Sequence, residues 1–478
     1  MVTGDRGHSG RLLRRVTATL VVLVLALAVA AQQFDLGEEW FGLHSPSPVT
    51  EPAEVAPPPG LTLPRHADAP VVAESTSGSE ASPRKVRRAL ARLVSDKKLG
   101  RHVAVAVTQL SNGRSVYRAG AGLVTPASTM KLLTSAAALE TLGPDHRFRT
   151  TAVAGRAPRQ VVLVGGGDPF LERAPIAEVY PAHADLSTLA KATAKRLEAR
   201  GRSTVRLGYD TSLFSGPGIS PAWEPSYVPD SVIPPISPLW TNEGRERSGQ
   251  VTEDPAAVAA QEFARALARN KIVVLGKPAP VRAPVGADEL AAVQGAPLAN
   301  VVQRVLEVSD NEGAEVLLRH VALTEGKRGS FAGGSRAVLD VLERLGVDTS
   351  NARVFDGSGL SRDTRLTPDT LLSLIELAAS DEHPSLRPVV TGLPVAGFNG
   401  SLAYRFETGD EQGLGRVRAK TGTLTGVHGL AGVVTDLDGT ELAFVAIADR
   451  VKVSNTLYAR THLDEIAAAL AGCACGTT

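Results

Sequence analysis

Two hydrophobic rhythms alternate along the chain. From Lys85, KVRRALARLVSD spaces its apolar residues three and four apart and predicts an amphipathic helix. HVAVAVTQL and RSVYRAG then read as strands on either side of Ser111-Asn112-Gly113, and an Asn-Gly turn between two such runs predicts a β-hairpin. The next run, LLTSAAALETLGP, has the apolar spacing of a buried helix, with Pro126 in its approach and Gly143-Pro144 closing it. At the other end RVRAKTGTL, HGLAGVVTDL and TELAFVAIADR read as strands, ahead of a last helix from about Thr456 to Leu470. Helix, strand, strand at the start and three strands, helix at the end predict one sheet built from both ends of the chain. The fold class expected is α/β (α+β), with residues 85–145 and 297–470 forming the main domain. Residues 146–296 change texture, from VVLVGGGDPFL through two helical runs to the Pro-rich PGISPAWEPSYVPDSVIPPISPLW, and predict an inserted domain with a small core of its own.

The N-terminal pattern is different again. Arg6, Arg11, Arg14 and Arg15 lie within residues 1–15, residues 16–31 form an unbroken apolar run, and the first charges afterwards are Asp35, Glu38 and Glu39. That asymmetry predicts a cytoplasmic N-terminus, with everything after the run on the outer face of the membrane. The run is either a retained transmembrane anchor or a signal sequence cut after Ala28-Val29-Ala30. Residues 32–84 read as a Pro/Ser/Ala-rich tether; the part from 44 to 84 holds no aromatic residue and too little apolar surface to order itself.

Charge and cysteine content remove some classes of function. Lysine plus arginine number 51 against 50 aspartate plus glutamate, so no global field gathers nucleic acid. Cys473 and Cys475 lie in a terminal tail, residues 471–478, expected outside any core; two cysteines one residue apart supply neither a disulfide framework nor a zinc site. Asp436-Leu437-Asp438-Gly439 lacks the remaining ligands of a calcium loop, and GGGDP lacks the Lys and Ser/Thr of a phosphate loop, so no metal or cofactor is expected.

Three short stretches carry the candidate chemistry. Ser128 and Lys131, in TPASTMK, stand three apart where a helix begins, on one face. Ser309-Asp310-Asn311 falls between two predicted helices, and Lys420-Thr421-Gly422-Thr423 lies on a predicted strand. Each alone has an ordinary reading as a helix cap, turn or strand end. In order they read S-x-x-K, S-x-N and K-T-G. A serine hydroxyl becomes a nucleophile when a neutral lysine takes its proton, and a lysine becomes neutral through burial or a nearby positive charge, for which Lys420 is the candidate. In this scheme Ser309 passes the proton to a leaving amine, Asn311 holds Lys131 or a substrate amide, Lys420 and Thr421 bind a terminal carboxylate, and Gly422 lets a substrate backbone lie along the strand.

With these motifs the chain resembles the penicilloyl serine transferases, and most of all the low-molecular-mass penicillin-binding proteins of the D-alanyl-D-alanine carboxypeptidase/endopeptidase family, peptidase S13 type. GGGDPFL (165–171), YDTSLFSGP (209–217), SYVPDSVIPPIS (226–237), FDGSGLSRDTRLTP (355–368) and LPVAGFNGSLAYRF (393–406) share the resemblance, which spans roughly residues 85 to 470. It implies a transpeptidase/β-lactamase-like domain with a five-stranded antiparallel sheet, flanking helices and inserted domains. It also implies an oxyanion hole from the backbone N–H groups of Ser128 and Thr423, a peptidoglycan stem peptide ending in D-Ala-D-Ala as substrate, and covalent inhibition by β-lactams. The function expected is an extracytoplasmic serine-type D-Ala-D-Ala carboxypeptidase, with endopeptidase activity left open. The alternatives are a β-lactamase, which the insertion and the lack of a recognisable deacylating glutamate disfavour, and a non-catalytic peptidoglycan-binding scaffold.

Two further readings concern the cleft. FDGSGLSRDTRLTP, with Asp356 and Ser358, is expected to be a structural loop along its wall. Trp223 and Glu224 are candidates for meeting the charged end of a diaminopimelate side chain. There is no G-x-S-x-G elbow to support an α/β-hydrolase.

Overall fold

The computed structural model describes residues 79–477, with 180, 247, 408 and 409 excepted. The basic N-terminus, the apolar run and nearly all of the tether fall outside the described residues. Among those described, no helix is long and apolar enough to cross a membrane. In chain order the elements are α1 (Pro83–Val94), β1 (Val103–Gln109), β2 (Arg114–Ala119), α2 (Lys131–Leu142), β3 (Arg149–Ala154), β4 (Gln160–Val164), α3 (Leu186–Glu198), β5 (Thr204–Asp210), α4 (Pro255–Arg269), β6 (Val273–Val274), β7 (Ala279–Pro280) and β8 (Glu289–Gln294). There follow α5 (Leu298–Glu307), α6 (Asn311–Thr324), α7 (Phe331–Arg344), α8 (Pro368–Ala379), α9 (Arg387–Thr391), β9 (Val417–Leu424), β10 (Val427–Thr435), β11 (Glu441–Ala448) and α10 (Thr456–Ala471).

The main sheet runs β2-β1-β11-β10-β9, antiparallel throughout, with Val103 opposite Ala448 and Gly429 opposite Gly422. Its strands do not alternate apolar with polar, because both faces are covered. Side chains two apart go to the same side. Ala104 and Ala106 of β1, with Ala443, Val445 and Ile447 of β11, face a core shared with α2, α5, α6, α7 and α8. Val105 and Val107, with Leu442, Phe444 and Ala446, face a second core shared with α1 and α10. The result is three layers, helices on sheet on helices.

The inserted stretch divides between two cores. A second sheet, β6-β5-β4-β3-β8, packs against α3 and α4 around Leu163, Leu189, Val205 and Phe263. Phe170, Phe214, Trp223, Ile236 and Trp240 instead join the core around α2 and α6. Those segments put the insertion against the helices that carry the candidate chemistry.

Two local expectations are corrected. Order begins before Lys85: Ala81 bridges to Gly476, and α1 starts at Pro83, a residue suited to a first helical turn. The cysteine tail joins the core instead of lying outside it. Cys473 and Cys475 are joined in a disulfide, Cys475 is fully buried, its N–H donates to Asp436 Oδ2 at 3.1 Å, and its carbonyl accepts from Ser82 N at 2.8 Å. The hairpin aspartate supplies the partner that the tail's own composition lacks.

Candidate active site

Ser128 lies in a 3-10 turn, Ala127–Met130, that runs into α2. Side chains three apart eclipse one another in such a turn, which brings Ser128 over Lys131. Lys131 Nζ is 3.0 Å from Ser128 Oγ. Ala127, just before Ser128, has φ of +46°, a region that non-glycine residues rarely enter and that is held only where the surroundings enforce it. Between Val124 and Leu139 every residue is buried except Ser128. The turn therefore presents one hydroxyl and hides everything else.

Lys131 is fully buried, and its Nζ has two further partners, Asn311 Oδ1 at 2.7 Å and the Ser358 carbonyl at 2.8 Å. Both can only accept. A neutral amine therefore spends its two N–H bonds on them and turns its lone pair toward Ser128, the arrangement a general base needs. Burial pushes the Lys131 ammonium down to about 8, against the opposing pull of Glu315 and Asp356. Of the two causes open from the sequence, burial is the one that acts, and the Lys420 charge does not contribute. Lys420 is buried too; burial and then the Lys131 charge hold its pKa well below the ordinary lysine range.

Lys420 to Thr423 lie on β9, an edge of the main sheet. Pro394 to Ala396 pair with the outer edge as far as Ala419, and beyond that the edge carries no strand among the described residues. An extended peptide could add there. Thr421 Oγ1 donates to Ser401 Oγ at 3.0 Å, and Thr423 is exposed. Gly422 has a structural reason of its own: a Cβ there would stand 2.7 Å from the Pro126 carbonyl and 3.3 Å from Thr129 Cγ2. Gly422→Ala is thus expected to push the Ser128 turn out of place and, if Ser128 is the residue acylated, to slow acylation by a β-lactam about 10²-fold. Stopped-flow acylation alongside thermal unfolding checks it; an unchanged rate would mean that the turn yields without consequence.

Ser309 is half-buried with φ of +64°, and its hydroxyl has no hydrogen-bond partner among the described residues. The structure thus joins Ser128, Lys131 and Asn311 by direct hydrogen bonds, sets β9 against the same turn, and brings Ser309 into no hydrogen bond with them among the described residues.

Several contributors were missed or misread in the sequence. FDGSGLSRDTRLTP supplies the Ser358 carbonyl that binds Lys131, and the loop is itself tightly held. Glu315 accepts from Gly357 N at 2.9 Å and Ser358 N at 2.8 Å, while Thr134 Oγ1 donates to the Gly357 carbonyl at 2.8 Å. Burial pushes the Glu315 carboxyl up to about 8. Nothing in the pattern marks Glu315, four residues past Asn311 on a helix, as more than a surface acid. Trp223 is not open to a substrate: its Nε1 donates to buried Asp356 at 2.8 Å. Glu224 stays about half exposed, 4.0 Å from Arg362.

The family model described as "D-Ala-D-Ala carboxypeptidase 3 (S13) family" matches residues 86–253 and 244–470. The chain belongs to this family. It is 37% identical over 471 residues to carboxypeptidase DacB of Mycolicibacterium smegmatis, covering 96% of this chain and 97% of that one. The fold is that of penicillin binding protein 4 (dacB) from Haemophilus influenzae: TM-score 0.65 at 22% identity, over 78% of this chain and 97% of that one. A structure of the same protein complexed with a β-lactam matches with TM-score 0.60 at 23% identity, over 79% and 97%. Membership of the S13 family makes the chain an enzyme, a D-Ala-D-Ala carboxypeptidase.

Proposed function

We propose that Ser128 is the nucleophile of this carboxypeptidase and Lys131 its base. The observation that carries the reading is Lys131 Nζ, fixed by two obligate acceptors so that its remaining valence meets the one accessible hydroxyl of the turn. Ser128 Oγ attacks the carbonyl of the penultimate D-Ala of a peptidoglycan stem peptide, and its proton passes to Lys131. The oxyanion that forms meets backbone N–H groups of Ser128 and Thr423. Collapse expels terminal D-Ala, whose amine takes a proton through Ser309, and water then hydrolyses the acyl-enzyme. Lys420 and Thr421 hold the terminal carboxylate while the peptide lies along the open edge of β9. A β-lactam enters the same path and stops at the acyl-enzyme, in keeping with the β-lactam complex of the H. influenzae protein. A peptidoglycan substrate places the action outside the cytoplasm, with the N-terminal segment as membrane anchor or signal.

The test is D-Ala release from a stem pentapeptide by the full chain, followed from pH 6 to pH 9. Because Lys131 works as the neutral amine and its pKa is about 8, the rate is expected to climb through that pH and to fall below it, where the ammonium cannot take a proton. A flat profile would remove Lys131 from the role.

A further inference from the structure

The residues flanking Asn311 are gripped by the inserted segment. Past the N-terminus of α6, Asn242, Glu243 and Gly244 have φ of +51°, +55° and +70°. Asparagine and glycine tolerate that region; glutamate seldom does. Strain of this kind persists only where the surroundings fix it. Here they do so on several sides. Asn242 Nδ2 donates to Glu172 Oε2 at 2.5 Å, and Arg245 donates to the Ser231 and Val232 carbonyls at 3.1 and 3.3 Å.

From that backbone two side chains reach α6. Arg245 donates to Glu312 Oε1 at 2.6 Å, and Glu312 is buried. Arg304 draws Glu243 and Asp310 to one guanidinium, 3.1 Å from Glu243 Oε1 and 3.5 Å from Asp310 Oδ2. Asn311 stands between these two held acids.

Asp310 has one oxygen accounted for and one not. Its Oδ1 caps α6 by accepting from Gly313 N at 2.8 Å; its Oδ2 is buried and receives no hydrogen bond from an N–H. A carboxylate facing it would repel, whereas a carboxylic acid would donate its O–H. We propose that Glu243 is a positioning residue of the active site: as a neutral acid it donates a hydrogen bond to Asp310 Oδ2 and so fixes the loop that carries Ser309 and Asn311. Burial and then the negative charge of Asp310 push Glu243 up to about 9, in agreement with a neutral acid at pH 7. The inserted segment thereby takes part in the chemistry without touching the substrate.

The inference rests on the active-site reading of Ser309 and Asn311, so Asn311→Ala is measured beside the Glu243 variants. The full chain is mixed with a fluorescent penicillin, and the limiting acylation rate is separated from the dissociation constant of the complex that precedes it. Glu243→Ala is expected to slow acylation about tenfold with little change in that dissociation constant. Glu243→Gln, whose amide N–H replaces the O–H, is expected to restore the rate. Glu243→Ala acylating at the natural rate overturns the proposal. So does a Glu243→Gln as slow as Glu243→Ala, since a charged partner for Arg304 would then be the requirement. If Glu243→Ala does not fold, Glu243→Gln decides alone, full rate supporting the inference and loss overturning it. If Asn311→Ala acylates normally, the reading of the site falls and the inference with it; a slow Asn311→Ala with a normal Glu243→Ala sinks the inference alone.

Discussion

Ser128→Ala is expected to abolish covalent capture of benzylpenicillin and to cut D-Ala release by at least about 10⁴-fold. The effect should be this large because the turn offers no substitute. Every other residue from Val124 to Leu139 is buried, and Lys131, although close, has two of its three directions occupied by Asn311 and Ser358. The cost to the fold should be small, since the hydroxyl is half-buried and the backbone of the turn remains. Intact-mass spectrometry after brief exposure to the drug, with peptide mapping of the natural chain, checks both halves. A stable adduct on the alanine variant, or a map ending elsewhere, would falsify the assignment of the nucleophile.

The second large effect is expected at Lys131. Replacement by methionine keeps most of the volume of a fully buried side chain and removes only the amine. Loss of the general base should slow acylation by about 10²- to 10⁴-fold. Stability should move much less, because two terms oppose. The Asn311 amide oxygen and the Ser358 carbonyl lose a donor, at about 1–3 kcal/mol each, while the unfavourable burial of an amine is relieved. Thermal unfolding and stopped-flow acylation on the same preparation separate the terms. Slow acylation with a nearly unchanged midpoint is the expected pair; normal acylation would return the base role to another group.

What the sequence displayed and what it hid follow from the range of the interactions. The hairpin at Asn112-Gly113 and the last helix depend on neighbours a few residues apart, and the pattern in those neighbours is plain. The approach of Ser128 to Lys131 was visible for the same local reason. A single sheet built from both ends is legible because both carry strand-like runs that need a common sheet; that β1 pairs with β11 is not, since nothing local fixes the strand order. By contrast, the Ser358 carbonyl, the buried carboxyl of Glu315 and the Glu243–Asp310 pair rest on contacts between distant segments, and no side-chain type announces a backbone carbonyl. The cysteine tail was misjudged on the same ground, since its fixed position depends on Asp436. Trp223 was misassigned because an indole in a Pro-rich loop looks alike whether it meets a ligand or a buried aspartate.

The central position of β11 also sets a clock for assembly. β1 is made early and its inner neighbour almost last, so the hairpin Val103–Ala119 waits with an unsatisfied edge while the whole insertion is synthesised. Pairing across such a separation is slow compared with local structure. The helical layers on both faces lack the strand they pack against until then. A chain cut short before Glu441 would thus contain Ser128, Lys131, Asn311 and Lys420 and still lack the strand that joins the first half of the sheet to the second. Every residue of the proposed site would be encoded, and the scaffold that holds them together would be missing.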